Sequence, residues 1–459
     1  MSTTTAPAPH PPLWKIYLSI LVPMMLTNTL QAAAGTVDGI YLGQMIGVDA
    51  IAAVSAFFPV FFFLLAIIIG MSTGATVLIG QAWGASDIAK ARAVAGTAVA
   101  MMACAGLFVS VCGGLLAPHL LGWLGTPANI LPDATLYARL MLVGAPIIFM
   151  LWLITSMSRG VGDAVTPLWT LVLATLIAMA CTPAFIQGWG GLPRLGVASP
   201  AVSTLLAFAL ALAWLLVHWR RRGHPLSPDA DLLRQVRLDP AIARKILRIG
   251  IPSCVQMLTM AAAEIVLLGL VNRHGSDATA AYGAVTQMMS WMQLPAMSLG
   301  ITASILTAHA VGAGRGDRIG AIVRTGLWLN ALATGGVVAI AYAVAPWVIG
   351  WFLQDTAVVA LALALLRIVA WSVVLLGAAN VLVGAMRASG TVFAPMGLGV
   401  FAVVAIELPA AHTLNAWLGL TGIWWACALT FLAMLTLQAA CYRWAARRRA
   451  RQAATNSPA

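Results

Sequence analysis

From Phe57 to Gly80, and again from Ala93 to Pro118, the chain carries no charged residue. Either stretch exceeds the ~20 apolar residues a helix needs to cross a ~30 Å hydrocarbon core. Inside lipid each backbone N–H and C=O must be satisfied within the protein, so apolar runs of this length fold as helices. Across the 459 residues 61% are hydrophobic and 8% charged, where a soluble domain has roughly 25% charged residues. The whole chain therefore reads as an all-α membrane protein. Hydropathy predicts twelve transmembrane helices, at 15–44, 51–80, 92–117, 137–158, 165–187, 195–219, 246–272, 279–310, 321–350, 361–386, 394–413 and 419–444.

A net charge of +12 raises the possibility of a nucleic-acid partner, but the placement of the basic residues gives a different answer. With the N-terminus in the cytoplasm, Lys90, Arg92, Arg159, the group from Arg220 to Arg248, Arg315, Arg318, Arg324, Arg387 and the tail from Arg443 to Arg451 all fall inside. Arg139, Arg194, Arg273 and Arg367 fall at or near the outside. This is the positive-inside bias, and it needs no nucleic acid. Both termini are predicted cytoplasmic. The opening "MSTTTAPAPHPP" lacks a basic n-region, so no cleaved leader is expected. Six cysteines at scattered spacings form no metal-binding pattern and read as small packing residues.

The chain also contains itself twice. At an offset of 228 residues Gly47, Asp49, Ala50, Ala52 and Ala53 recur as Gly275, Asp277, Ala278, Ala280 and Ala281. "QAWGA" from Gln81 meets "HAVGA" from His309, and Pro118, Arg139, Arg159 and Gly162 meet Pro346, Arg367, Arg387 and Gly390. Such a register predicts two six-helix lobes related by an internal repeat. Because six is even, the copies enter the membrane from the same side and their axis runs along its normal, with a substrate path between them. The expected division is an N-terminal lobe at 1–219, a cytoplasmic connector at 220–245 and a C-terminal lobe at 246–459. Within the connector, Leu232 to Leu238 reads either as an interfacial helix with arginines on anionic lipid or as a solvated loop.

Only three acids fall inside predicted spans: Asp38, Glu264 and Glu407. A mid-span carboxylate costs ~2.5–3.5 kcal/mol on insertion scales, so each should face a polar interior or a water-filled cavity. Thr27, Gln31 and Asp38 share one helical stripe, as do Ser253, Gln256 and Glu264. Glu407 has apolar neighbours at helical spacing. Such carboxylates can take up a proton or bind a cation, and the residues leave both open. Arg139, Arg159, Arg367 and Arg387 read as topology anchors and loop contacts, and His119, His274, His309 and His412 as interfacial packing.

No phosphate-binding loop is present, which excludes transport driven directly by ATP, and no nucleophile with a base stands out, which leaves an enzyme reading without support. "TQMMSWMQLPAM" from Thr286 reads either as an adaptable surface for apolar ligands or as ordinary packing.

The acid of span 1 followed by "YLGQMIGVDAIAA", then "GMSTGATVLIGQAWGA", "SRGVGDAVTP", "SLGITASILTAHAVGAG" and "MRASGTVFAP", resembles the multidrug and toxic compound extrusion (MATE) family over nearly the whole chain. The resemblance implies a cleft between two lobes, opening alternately to either side. It also implies export of cationic or amphipathic compounds in exchange for H⁺ or Na⁺, with no cofactor. Asp38 matches the family's span 1 acid and Glu264 its span 7 glutamate; Thr204 in span 6 persists beside Asp38. Where the proton-coupled branch has Asn and Asp in span 5 this chain has Ala178 and Thr182, and near Leu376 it lacks the acid of span 10, a place Glu407 can take. Glu264 and Glu407 are thus the candidate Na⁺ site, with Asp38, Gln31, Gln256 and Thr204 completing the ion and substrate set. The expectation is a monomeric efflux antiporter of the bacterial inner membrane, in contact with lipid and small molecules. A lipid-linked oligosaccharide flippase of the same superfamily, a major facilitator exporter and a non-transporting scaffold are the alternatives.

Overall fold

The computed structural model describes residues 12–191, 193–352 and 355–455, and the polar N-terminal stretch read for a leader lies outside them. Among these residues eleven helices are long and apolar enough to cross a membrane: span 1 Leu13–Met45, span 2 Asp49–Gly84, span 3 Ile88–Trp123, span 5 Val165–Gln187, span 6 Gly196–Arg222, span 7 Pro240–Asn272, span 8 Ser276–Gly312, span 9 Gly316–Trp351, span 10 Thr356–Ala388, span 11 Phe393–Leu418 and span 12 Leu420–Arg449. Leu131–Val143 and Ala145–Gly160, bent by 50° at Gly144, make span 4 and bring the number to twelve.

The repeat is visible in the backbone. Gly47 (φ 127°) and Gly275 (φ 99°) each start the second helix of their half, and Gly162 and Gly390 each turn at φ 91° after the fourth. These left-handed conformations strain any residue with a Cβ. Spans 4 and 10 both break near their middles, before Ala145 and before Ser372. A break inside lipid leaves carbonyls without a helical partner. Ser110 donates to Val143 O (2.9 Å) at the first break, and at the second Tyr342 donates to Arg367 O (3.2 Å) and Ser372 to Val369 O (2.5 Å).

Two short π-helical turns interrupt the α ladder, Val109–Gly113 in span 3 and Ala402–Glu407 in span 11. A π turn inserts a residue and so turns the side chains after it onto a different face.

Between spans 6 and 7 the chain forms a helix at Ala230–Gln235, shorter than the predicted 232–238 and held against span 3 by protein contacts. Arg92 of span 3 pairs with Asp229 (3.0 Å) and donates to Pro225 O (2.9 Å). A Cβ on Gly96 would lie 2.2 Å from Gln235 O, so the helix can dock only on a glycine. The Leu232 N–H bonded to Asp229, with Arg92 behind it, holds the Asp229 carboxyl below its usual range. Burial pushes the His224 imidazole, stacked on Trp219, down to about 4.

Candidate functional site

The two halves touch only part of the way across the bundle. From the first half the contacts use Tyr17, Met24 and Asn28 of span 1, Gly70 to Gly84 of span 2 and Gly160 at the end of span 4. From the second they use Ile246, Gly250 and Cys254 of span 7, Ser298 to Gly312 of span 8, Gly326 of span 9 and Ala388 at the end of span 10. All of these lie in the halves of their spans nearest the connector. Asn28 donates to Ser298 (3.0 Å), Gly70 meets Gly250 backbone to backbone, and Gly74 is packed on Ile246 O.

Ten residues beyond the last contact on span 1 stands Asp38, and ten beyond Cys254 on span 7 stands Glu264. At 1.5 Å per residue each carboxylate is about 15 Å from the seal, toward the opposite end. There, Gly35, Gly39 and Gly269 are exposed, and an added Cβ on any of them would meet nothing within 4 Å. The contacts between the halves thus lie toward the connector end, and Asp38 and Glu264 stand beyond them on their spans.

In the first half Asp38 is half-buried on span 1, and Tyr137 of span 4 lies edge-on to Phe57 (5.9 Å). Gln31 is half-buried on the same span, while Thr27 turns its hydroxyl back to Pro23 O (2.7 Å) and leaves the stripe. Thr204 is half-buried on span 6, which packs on span 5, as span 1 does from its other side.

In the second half Glu264, exposed on span 7, and Glu407 of span 11 stand on neighbouring, packed helices. Glu407 is 8% exposed at the end of the π turn of span 11, a turn that packs on span 7, which carries Glu264, and on span 12. Tyr282 of span 8 packs on Trp424 (5.2 Å). Gln256 lies against Gly399, where a Cβ would come within 2.8 Å of its amide nitrogen. Ser253 bonds back to Ile249 O. Among the described residues no group of three or more His, Cys, Asp or Glu forms a metal centre. Glu264 and Glu407 offer carboxylate oxygens for a proton or a hard monovalent cation, whereas Gln256 lies eight residues from Glu264 on the same helix, about 12 Å along it, and is not brought to the two acids.

Several side chains fall outside their sequence reading. His309, expected as interfacial packing, lies between the halves with Nε2 on Gly160 O (2.8 Å), because glycines at 80, 84 and 312 let the helices approach closely there. The six cysteines are all free. Met288, Met289 and Met292 are core residues, whereas Met297 is exposed. Tyr137 and Tyr282 were not singled out in the sequence; the available signal was their rarity, six tyrosines in the chain, and the need of a buried hydroxyl for a partner.

The MatE family model matches residues 23–183 and 252–413, one copy in each half. The chain belongs to the MATE family. Members of this family are transporters and not enzymes, and the major facilitator alternative falls with this assignment. "Probable multidrug resistance protein YoeA" of Bacillus subtilis is 36% identical over 90% of each chain, and "Probable multidrug resistance protein YpnP" of the same organism 25% identical over 90% of each. The solved structure described as the outward-facing conformation of a multidrug resistance MATE family transporter of the MOP superfamily superposes with a TM-score of 0.87. It covers 95% of this chain and 96% of its own at 22% identity. That likeness bears on the fold, twelve helices in two lobes.

Proposed function

We propose that this MATE protein is a multidrug efflux antiporter that exports cationic or amphipathic compounds in exchange for H⁺ or Na⁺. The observation that carries the reading is that each half places a mid-span carboxylate, Asp38 or Glu264, beyond the contacts that join the halves at the connector end, which we read as the open part of a cleft. An anionic wall attracts a cationic, partly apolar solute, and a carboxylate that is neutralised by a proton or Na⁺ no longer holds it. The names of the Bacillus subtilis relatives agree with this reading. Asp38, with Gln31 and Thr204, serves as one coupling site. Glu264 and Glu407 serve as the second and as the place for Na⁺ if Na⁺ is the ion. The lobes are 1–219 and 246–459, joined by the connector 220–245, and the protein works as a monomer in the bacterial inner membrane.

The test is uptake of a fluorescent lipophilic cation into inverted vesicles, with H⁺ and Na⁺ gradients imposed separately. One gradient should drive accumulation and its collapse should release the dye. No gradient-dependent movement of any compound in a broad cationic panel, with the protein present in the membrane, counts against drug export.

Orientation follows from the basic residues, so the connector and the C-terminal end of span 12 should face the cytoplasm and the cleft should open outward. An impermeant thiol reagent added to intact cells should fail to label Arg222→Cys and Arg449→Cys, and should label both after permeabilisation. Labelling from outside at either position reverses the topology.

A further inference from the structure

Two hydrogen bonds close the connector end of the cleft, and each is the repeat image of the other. Gln81 at the end of span 2 donates its Nε2 hydrogen to Ala388 O (2.9 Å). His309, its equivalent at the end of span 8, has Nε2 2.8 Å from Gly160 O, and Gly160 is the equivalent of Ala388. Both acceptors are the last residues of their helices, Ala145–Gly160 and Ser372–Ala388, where terminal carbonyls have no partner within the helix. Since a carbonyl only accepts, the His309 tautomer here carries its proton on Nε2.

The backbone around the two bonds has the same symmetry. A Cβ on Gly84 would lie 2.1 Å from His309 O, and one on Gly312 would lie 1.9 Å from Gln81 O. Each half thus contributes one donor, one helix-end carbonyl and one bare glycine, and separation of the halves at this end breaks both bonds together. The symmetry is imperfect in one respect. The imidazole ring also lies over Gly162, with Cε1 3.5 Å from the place of a Cβ, whereas nothing occupies the corresponding space at Gly390.

We propose that Gln81 and His309 are positioning residues that form a two-armed latch, holding the halves together at the connector end and setting how often the cleft opens there. Neither residue touches the carboxylates. The latch goes beyond the drug-export reading, and its test needs no substrate.

Cys254 provides the readout. It sits in the seal, its Cβ 3.1 Å from the place of a Cβ on Gly70, so a reagent reaches it faster when the halves part. Cys104, exposed on span 3 away from the seal, is the internal reference. The full chain in lipid nanodiscs would be treated with N-ethylmaleimide and the modification rate of each cysteine followed by peptide mass spectrometry. Gln81→Ala and His309→Ala each remove one arm and should raise the Cys254 rate roughly two- to tenfold, the net effect of one hydrogen bond. The Cys104 rate should stay constant. His309→Gln restores an amide donor of the kind its repeat mate uses, and should return Cys254 to within about twofold of wild type. An unchanged Cys254 rate in Gln81→Ala and His309→Ala overturns the latch. So does an equal rise at Cys104, which marks general loosening, or a His309→Gln protein that behaves as His309→Ala does. If His309→Ala does not fold, Gln81→Ala and His309→Gln decide the matter between them. Failure of dye transport with these alkylation results intact would affect only the drug-export reading.

Discussion

Asp38→Asn should insert and fold yet lose transport, falling roughly 100-fold, the upper range of the coupling between two sites. The substitution preserves size and hydrogen bonding and removes the charge. Because an ionised carboxylate mid-span costs ~2.5–3.5 kcal/mol, its loss should not harm assembly. Asp38 is half-buried on the part of span 1 read as the open cleft, where a cation or proton can reach it. Without a group that alternates between charged and neutral or ion-bound states, substrate and ion movements no longer depend on each other. Glu264→Gln should also impair transport. It differs in setting, because span 7, which carries Glu264, packs on span 11 with its Glu407, whereas span 1 with Asp38 packs on span 5. Ligand binding and vesicle flux must be measured separately, since a carboxylate can serve as ion site, substrate counter-charge or both. Wild-type flux with wild-type ion dependence in Asp38→Asn would make Asp38 a structural acid and remove it from the site.

Gly84→Val should be nearly as damaging, and for a different reason. The new Cβ would lie 2.1 Å from His309 O and 2.7 Å from its Cα, and backbone in a packed helix cannot yield as a side-chain end can. Overpacking of this kind costs typically 1–3 kcal/mol. Here the cost falls on the conformation in which the connector end is shut, because only then do Gly84 and His309 meet. At 1.4 kcal/mol per decade, the population of that conformation should drop about five- to hundredfold. Transport should fall with it, and Cys254 should become more reactive. Gly312→Val, its repeat image against Gln81 O, should act in the same direction. Gly335→Ala, whose added methyl meets nothing within 4 Å, should leave both properties unchanged. A Gly84→Val protein that transports at the wild-type rate would show that the connector-end seal is not used in the cycle.

The class of the protein, its span number and its repeat were legible without coordinates, since each follows from a one-dimensional pattern. Uncharged runs of membrane-crossing length admit only helices in lipid, and an ungapped register containing Gly, Pro and Arg is a property of the string itself. Gly47 and Gly275 do adopt matching left-handed turns, and span 5 begins and ends at the predicted residues 165 and 187. Asp38, Glu264 and Glu407 could be named as candidates because a carboxylate inside lipid has few other uses.

Which candidates meet was decided only by tertiary structure. The sequence places Glu407 among apolar neighbours at α-helical spacing. A π turn at Ala402–Glu407 changes that register, buries Glu407 and packs the turn on spans 7 and 12. The segment around the helix Ala230–Gln235 reads from sequence either as an interfacial helix or as a solvated loop, and Arg92, far away in sequence, holds it on span 3. His309 and Gln81 sit in an ordinary apolar pattern, and their partners are backbone carbonyls 149 and 307 residues away. Periodicity along one helix determines which face a residue occupies. Which other helix covers that face depends on packing between segments distant in the chain, and a backbone acceptor leaves no mark in the sequence at all.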